Sequence, residues 1–175
     1  MAIVNRKYGY LFLAEPYCAS RAVAQALLAH EGSVQLDCWV HETLPKLCQL
    51  GMVRPNEPLF KFSIVRHPCD YLVTKYHHLT SWHKRGFSEF LRAHLEPPEP
   101  TLFMHAAVMD RTLKFELLQT QLNDILEARD APPVELSVVG KTEGKQYWRS
   151  YYTRGEIWSI DEQLPDFKTY GYRIK

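Results

Sequence analysis

Phe60-Lys61-Phe62-Ser63-Ile64-Val65-Arg66-His67-Pro68-Cys69-Asp70-Tyr71-Leu72-Val73-Thr74-Lys75-Tyr76 is the stretch whose reading decides the fold. Phe60 to Val65 is rich in aromatic and β-branched residues and is interrupted only by Lys61 and Ser63, which suits a largely buried strand. Pro68 fits the first turn of a following helix, where a missing N–H costs nothing. Leu72, Val73 and Tyr76 then recur at helical spacing. Arg66 therefore stands at the carboxyl end of a strand, with Thr74 about two turns into the next helix. A guanidinium fork and a hydroxyl so placed would converge on one phosphate. A salt bridge from Arg66 to Asp70, closing the helix start, fits the same residues.

A second strand, loop and helix lie upstream. Tyr8 to Ala14 reads as a core strand, Glu15-Pro16-Tyr17-Cys18-Ala19 as a tight loop, and Ser20 to Leu28 as a helix with Ser20 as its N-cap. Backbone N–H groups at such a helix start carry partial positive charge and would cradle a phosphate. Further helices are expected at Thr43 to Leu50, Cys69 to Ser81, Ser88 to His94, Leu102 to Arg111, Leu117 to Glu127 and Thr153 to Leu164. Further strands are expected at Thr112 to Phe115 and Ser137 to Gly140, with loops at Gly51 to Pro58, Glu96 to Pro100 and Arg129 to Glu135. This alternation predicts an α/β fold, three layers α/β/α around a central, mostly parallel sheet. Ligands of such sheets gather at the carboxyl ends of the strands, where both loops fall.

The 175 residues, 46% hydrophobic, suit a single domain over residues 1–175. With 21 basic against 20 acidic side chains there is no global field to draw nucleic acid or an anionic membrane, so neither is expected as a partner. Cys18, Cys38, Cys48 and Cys69 show no Cys-x-x-Cys spacing, so neither a zinc site nor a disulfide framework is signalled, and a reducing, cytoplasmic setting is expected. No apolar run approaches the ~20 residues of a membrane span.

Two roles fit His41, which follows Cys38-Trp39-Val40: a general base at a cleft rim, or a surface histidine at a helix cap. His77, His78 and His83 are spaced poorly for a metal on one helix face, and no metal is expected. The aromatic residues around Tyr147-Trp148 and Tyr151-Tyr152 suit core packing better than a stacking platform. Lys141-Thr142-Glu143-Gly144-Lys145 reads either as a cationic turn over a phosphate or as a solvated loop.

Together these segments resemble the sulfotransferases that use 3′-phosphoadenosine 5′-phosphosulfate, in particular the carbohydrate type and its short bacterial and phage relatives. Pro16-Tyr17-Cys18-Ala19-Ser20-Arg21 is similar to their first loop, and Val65-Arg66-His67-Pro68-Cys69-Asp70-Tyr71 with Thr74 and Tyr76 to their second motif. His41-Glu42-Thr43-Leu44, Leu113 to Leu118, and Tyr151-Tyr152-Thr153 through Asp166 to Tyr172 resemble further segments in the family's order. The resemblance implies a P-loop NTPase-like sulfotransferase fold and sulfuryl transfer to a hydroxyl acceptor, a small molecule or a saccharide, without metal. It implies that Pro16, Cys18, Ala19, Ser20 and Arg21 hold the 5′-phosphosulfate, that Arg66 and Thr74 hold the 3′-phosphate with Lys141 and Lys145 nearby, and that His41 is the base. Adenosine 3′,5′-bisphosphate would be the product.

Tyr17 departs from the pattern. The family carries a lysine there, whose cation stabilises the leaving group, and a preorganised donor of that kind is worth roughly 3 to 4 kcal/mol. Tyr17 would have to serve through its hydroxyl, with Arg21, Lys141 and Lys145 as the other candidate cations. A catalytically weak or inactive binding protein on the same fold is the alternative. A nucleotide kinase or NTPase is disfavoured because the loop lacks Gly-x-x-x-x-Gly-Lys-Ser/Thr.

Overall fold

The computed structural model describes residues 1–95, 102–139 and 141–173; the loop expected at Glu96 to Pro100, and Gly140 at the end of an expected strand, lie outside them. In chain order the first elements are β1 (Ala2–Asn5), β2 (Tyr10–Leu13), α1 (Ser20–Leu28), β3 (Ser33–Gln35), α2 (Leu44–Gln49) and β4 (Phe60–Val65). Then follow α3 (Pro68–His78), α4 (Phe87–Leu95), β5 (Arg111–Lys114), α5 (Leu118–Glu127), α6 (Arg154–Gln163) and α7 (Asp166–Thr169), with short 3-10 turns between. The chain forms two compact units, one of Met1–Val65 with Phe103–Gly140 and one of Arg66–Leu102 with Lys141–Lys175.

The first unit is α/β and holds the five strands found among the described residues, in the order β3-β1-β2-β4-β5. The sheet is mixed, which corrects the expectation of a mostly parallel one. β2 pairs with β4 and β4 with β5 in parallel, whereas β1 runs antiparallel to both β2 and β3. The two strands that make the sheet mixed are those the residue pattern did not announce. Ala2 to Asn5 is only four residues long, and Ser33-Val34-Gln35 is a largely exposed edge with no apolar run. Residues 137–139 form no strand.

Register sorts the side chains into two faces. Ala2 stands opposite Leu13 and Val4 opposite Leu11, and these four pack with Leu36, Leu47, Val53 and Leu59 in one apolar cluster. The alternate residues Tyr10, Phe12 and Phe62 meet on the other face, with Phe12 and Phe62 ring centroids 5.4 Å apart. On the sheet, the buried Ser63 hydroxyl donates to the Leu13 carbonyl at 2.9 Å, and the Asn5 amide donates to the Glu31 carbonyl and the Ser33 hydroxyl.

The helix expected from Leu102 to Arg111 is not formed; only a 3-10 turn at Ala106–Val108 appears there. The cause is Glu15. Its carboxylate, fully buried, accepts the backbone N–H groups of Met104 (3.0 Å), His105 (2.5 Å) and Ala106 (3.2 Å), so the segment is folded around a side chain from another part of the chain.

The second unit is helical. Pro68 occupies the first turn of α3 as expected, and Thr153 with Glu156 forms a reciprocal capping box that starts α6. Tyr76 on α3 meets Phe87 and Phe90 of α4 edge-on, each at 5.4 Å. Trp148 is buried as core, whereas Tyr147 beside it is 66% exposed. Among the described residues no helix is long and apolar enough to cross a membrane.

Glu15→Ala is expected to strand two buried amides and one partly buried amide, at about 1–3 kcal/mol for an unsatisfied group. Urea denaturation should show a loss of at least about 3 kcal/mol; a loss under about 0.5 kcal/mol would remove Glu15 as the organiser of residues 104–106.

Candidate functional site

In the first unit, chemistry gathers where β2 ends. The loop after Leu13 carries two residues in the left-handed region, Tyr17 (φ 58°) and Ala19 (φ 57°), out of three such non-glycine residues described. Side chains strain this conformation, and it is uncommon outside turns and sites. Left-handed residues interleaved with ordinary ones are the backbone geometry of anion-binding concavities. Pro16 is half-buried, Cys18 is buried, and Arg21 is exposed on the first turn of α1.

Ser20 is not the N-cap expected from the sequence. Ala19 holds the cap position, and the Ser20 hydroxyl, already inside the helix and buried, donates to the Glu15 carbonyl at 2.6 Å. It braces the loop from within the helix. Burial raises the Tyr17 phenol above its ordinary pKa, so its proton is retained at neutral pH and the hydroxyl remains a donor.

His41 is tethered to the same loop. Its Nδ1–H donates to the Ala14 carbonyl at 2.8 Å, since a carbonyl can only accept. In the neutral ring that bond puts the proton on Nδ1 and the lone pair on Nε2, the arrangement a general base needs. His105 lies 1% exposed near the same carbonyl, close enough to His41 and the N-terminal amino group to feel their charges. Neither of its ring nitrogens makes a hydrogen bond among the described residues. Burial first, then those two neighbours, push its pKa down to about 4. Glu15 and His105 carried no motif; both act through long-range burial that local spacing does not encode.

In the second unit, a cationic cluster forms at the start of α3. Arg66 Nε pairs with Asp70 Oδ2 at 2.5 Å, so the salt bridge that fitted the sequence is made. Lys145 joins it: Nζ lies 2.6 Å from Asp70 Oδ1 and donates to the Thr74 hydroxyl at 3.0 Å, while that hydroxyl donates to the Asp70 carbonyl at 2.8 Å. Arg66, Thr74 and Lys145 are thus brought together, with two cations on one carboxylate at 11–16% side-chain exposure. Lys141 is exposed and is not part of the cluster. His67 stacks on Trp148 at 4.7 Å and meets Phe167 and Tyr172 edge-on, which holds the start of α3 in place. Cys69, next along, is buried with its thiol pushed up to about 12, so it is chemically inert.

His77 is engaged by the Tyr151 hydroxyl at 2.7 Å. No group of three histidine, cysteine or acidic residues that could hold a metal occurs among the described residues. A cleft of about 210 Å³ lies between α4 and α6, lined by Ser88, Arg92, Glu156 and Gln163 among others, and contains none of the residues singled out from the sequence. No protein-family model, curated protein or solved structure matches the chain.

His105 stays neutral in the folded protein down to about pH 4, whereas an unfolded histidine takes up its proton near pH 6.5. Stability should therefore be full above pH 6.5 and fall between pH 6.5 and 4, with a slope of up to about 1.4 kcal/mol per pH unit. Urea midpoints of wild type and His105→Leu across this range test it. Parallel pH curves for the two proteins would contradict the burial of a neutral imidazole.

Proposed function

We propose that this chain is a sulfotransferase-like protein that binds 3′-phosphoadenosine 5′-phosphosulfate and transfers its sulfuryl group to a hydroxyl acceptor. The reading adds to the α/β fold the finer expectations of three layers and a P-loop NTPase-like arrangement. The observation that carries it is the Arg66, Thr74 and Lys145 cluster at the start of α3, in the segment that resembles the family's 3′-phosphate motif. Two cations and a hydroxyl suit a phosphate dianion, and Asp70 holds them meanwhile. The left-handed loop at Tyr17 and Ala19 supports the second half of the reading, in which the backbone of Cys18 to Arg21 takes the 5′-phosphosulfate.

The chemistry follows from the residues. His41 Nε2 takes the proton of the acceptor hydroxyl, whose oxygen attacks the sulfur in line. The bond from sulfur to the bridging oxygen breaks, and adenosine 3′,5′-bisphosphate leaves. Tyr17, still protonated, donates toward that bridging oxygen as charge develops there. No step calls for a metal.

A second reading is favoured by one observation, the phenol at position 17 where the family has an ammonium. On that reading the nucleotide is bound and transfer is feeble or lost.

Calorimetry with adenosine 3′,5′-bisphosphate and with AMP should show the bisphosphate binding at least about tenfold more tightly, with the difference removed in Arg66→Ala. Equal affinity for both nucleotides would end the proposal. A labelled-sulfate transfer assay on Tyr17→Lys then separates the two readings. A gain of about a hundredfold over wild type marks an enzyme lacking only its cation, and no transfer by either protein marks a binding module.

A further inference from the structure

We propose that Tyr151 is a positioning residue for the cluster at the start of α3: its hydroxyl, held between His77 and the backbone N–H of Gln146, seats Lys145 beside Arg66 and thereby sets how tightly the cluster takes a phosphate dianion. The last clause rests on the sulfuryl-donor reading, which supplies the phosphate; the seating of Lys145 does not.

Lys145 reaches Thr74 from 71 positions along the chain, and a long side chain is held only as well as the backbone that carries it. The chain enters through Gly144, whose left-handed φ of 70° makes the turn just before Lys145. Just after it, the Gln146 N–H donates to the Tyr151 hydroxyl oxygen at 3.0 Å, and that hydroxyl meets His77 Nε2 at 2.7 Å. With its oxygen accepting from Gln146, the phenol gives its own proton to the imidazole. His77 is suited to take it. Burial first, then His83, Lys145 and His78, hold its pKa below the ordinary value, so at neutral pH the ring is neutral and offers a lone pair.

A tyrosine bonded to a histidine is ordinary packing; here the same oxygen also holds the amide beside Lys145, which gives it a reach into the cluster. The neighbouring residues fasten this segment independently. The Tyr152 hydroxyl donates to the Cys69 carbonyl at 2.8 Å and Trp148 stacks on His67, both at the first turn of α3. Tyr151 fastens the segment at the last turn, through His77. Lys145 inserts between these two points, at Asp70 and Thr74. Without the Tyr151 hydroxyl the first fastening remains and the turn carrying Lys145 loses its hold, so the ammonium leaves its seat while the fold persists.

Reductive methylation of each lysine, read by peptide mass spectrometry, reports the seat without any ligand. Lys145, 12% exposed and paired, should be modified roughly tenfold faster in Tyr151→Phe, which keeps the ring against Phe87 and removes only the oxygen. His77→Leu should match it, whereas His77→Gln, which retains an acceptor, should stay close to wild type. Lys61, paired with Asp110 in the first unit, should not change in any of them. Lys145 as protected in Tyr151→Phe as in wild type, or Lys61 accelerated along with it, overturns the positioning role. Calorimetry with adenosine 3′,5′-bisphosphate tests what the seat is for. Tyr151→Phe and Lys145→Ala should each weaken binding about tenfold and the double variant no more than either, and losses that multiply overturn the link between the two residues. A wild type that binds no bisphosphate yet shows Tyr151-dependent protection removes the sulfuryl-donor reading and leaves the seating of Lys145. Bisphosphate binding with Lys145 protection indifferent to Tyr151 does the reverse.

Discussion

The parallel pairing of β2 with β4 is the constraint on which the rest of the first unit depends. Parallel neighbours end at the same edge of a sheet, so the loop after Leu13 and the chain emerging after Val65 leave from one side. Its register puts Phe12 beside Phe62, and the Ser63 hydroxyl bonds the Leu13 carbonyl, a polar group that a central buried strand has to satisfy internally. A one-residue slip would move Leu11 and Leu13 out of the cluster they share with Ala2 and Val4 and would strand that hydroxyl.

Beyond that edge, stiffness comes from side chains acting on distant backbone. Glu15 gathers three amides, Ser20 returns to the Glu15 carbonyl, and His41 takes the carbonyl of Ala14. Three consecutive groups at the strand end are thereby committed to partners, which explains how two non-glycine residues persist at positive φ a few positions later. The imidazole tautomer follows from the same bond. Fold and candidate site share these contacts, so a change made in one reaches the other.

Legibility in the sequence tracked how local each cause was. β2 and β4 were readable because each is an apolar, β-rich run with a turn or helix signal next to it, and α3 was announced by Pro68 one residue past His67. The capping box at Thr153 and Glu156 is visible as a spacing. β1 and β3 escaped because an antiparallel partner, not composition, makes them strands. The segment from Leu102 has helical spacing, yet residues 104–106 gather on a carboxylate from another part of the chain, and nothing near residue 102 reports Glu15. Ser20 was misplaced by one position, its hydroxyl turning back to the Glu15 carbonyl instead of capping α1. The Arg66 bridge to Asp70 could be read from i, i+4 spacing, whereas the arrival of Lys145 from seventy-five residues away could not.

The cluster around Asp70 has a consequence for how an anion would be received. Arg66 and Lys145 are long, rotamer-rich side chains, and gathering them at the moment of encounter would cost roughly 0.5–1.5 kcal/mol each in lost freedom. Here the aspartate has ordered both during folding, and at 12% exposure or less they have already shed much of their water. On the proposed reading an arriving oxyanion would meet a preorganised pair of charges and would exchange places with a monovalent carboxylate. Selectivity would then follow from valence, because a dianion would outweigh the aspartate it competes with and a monoanion would not.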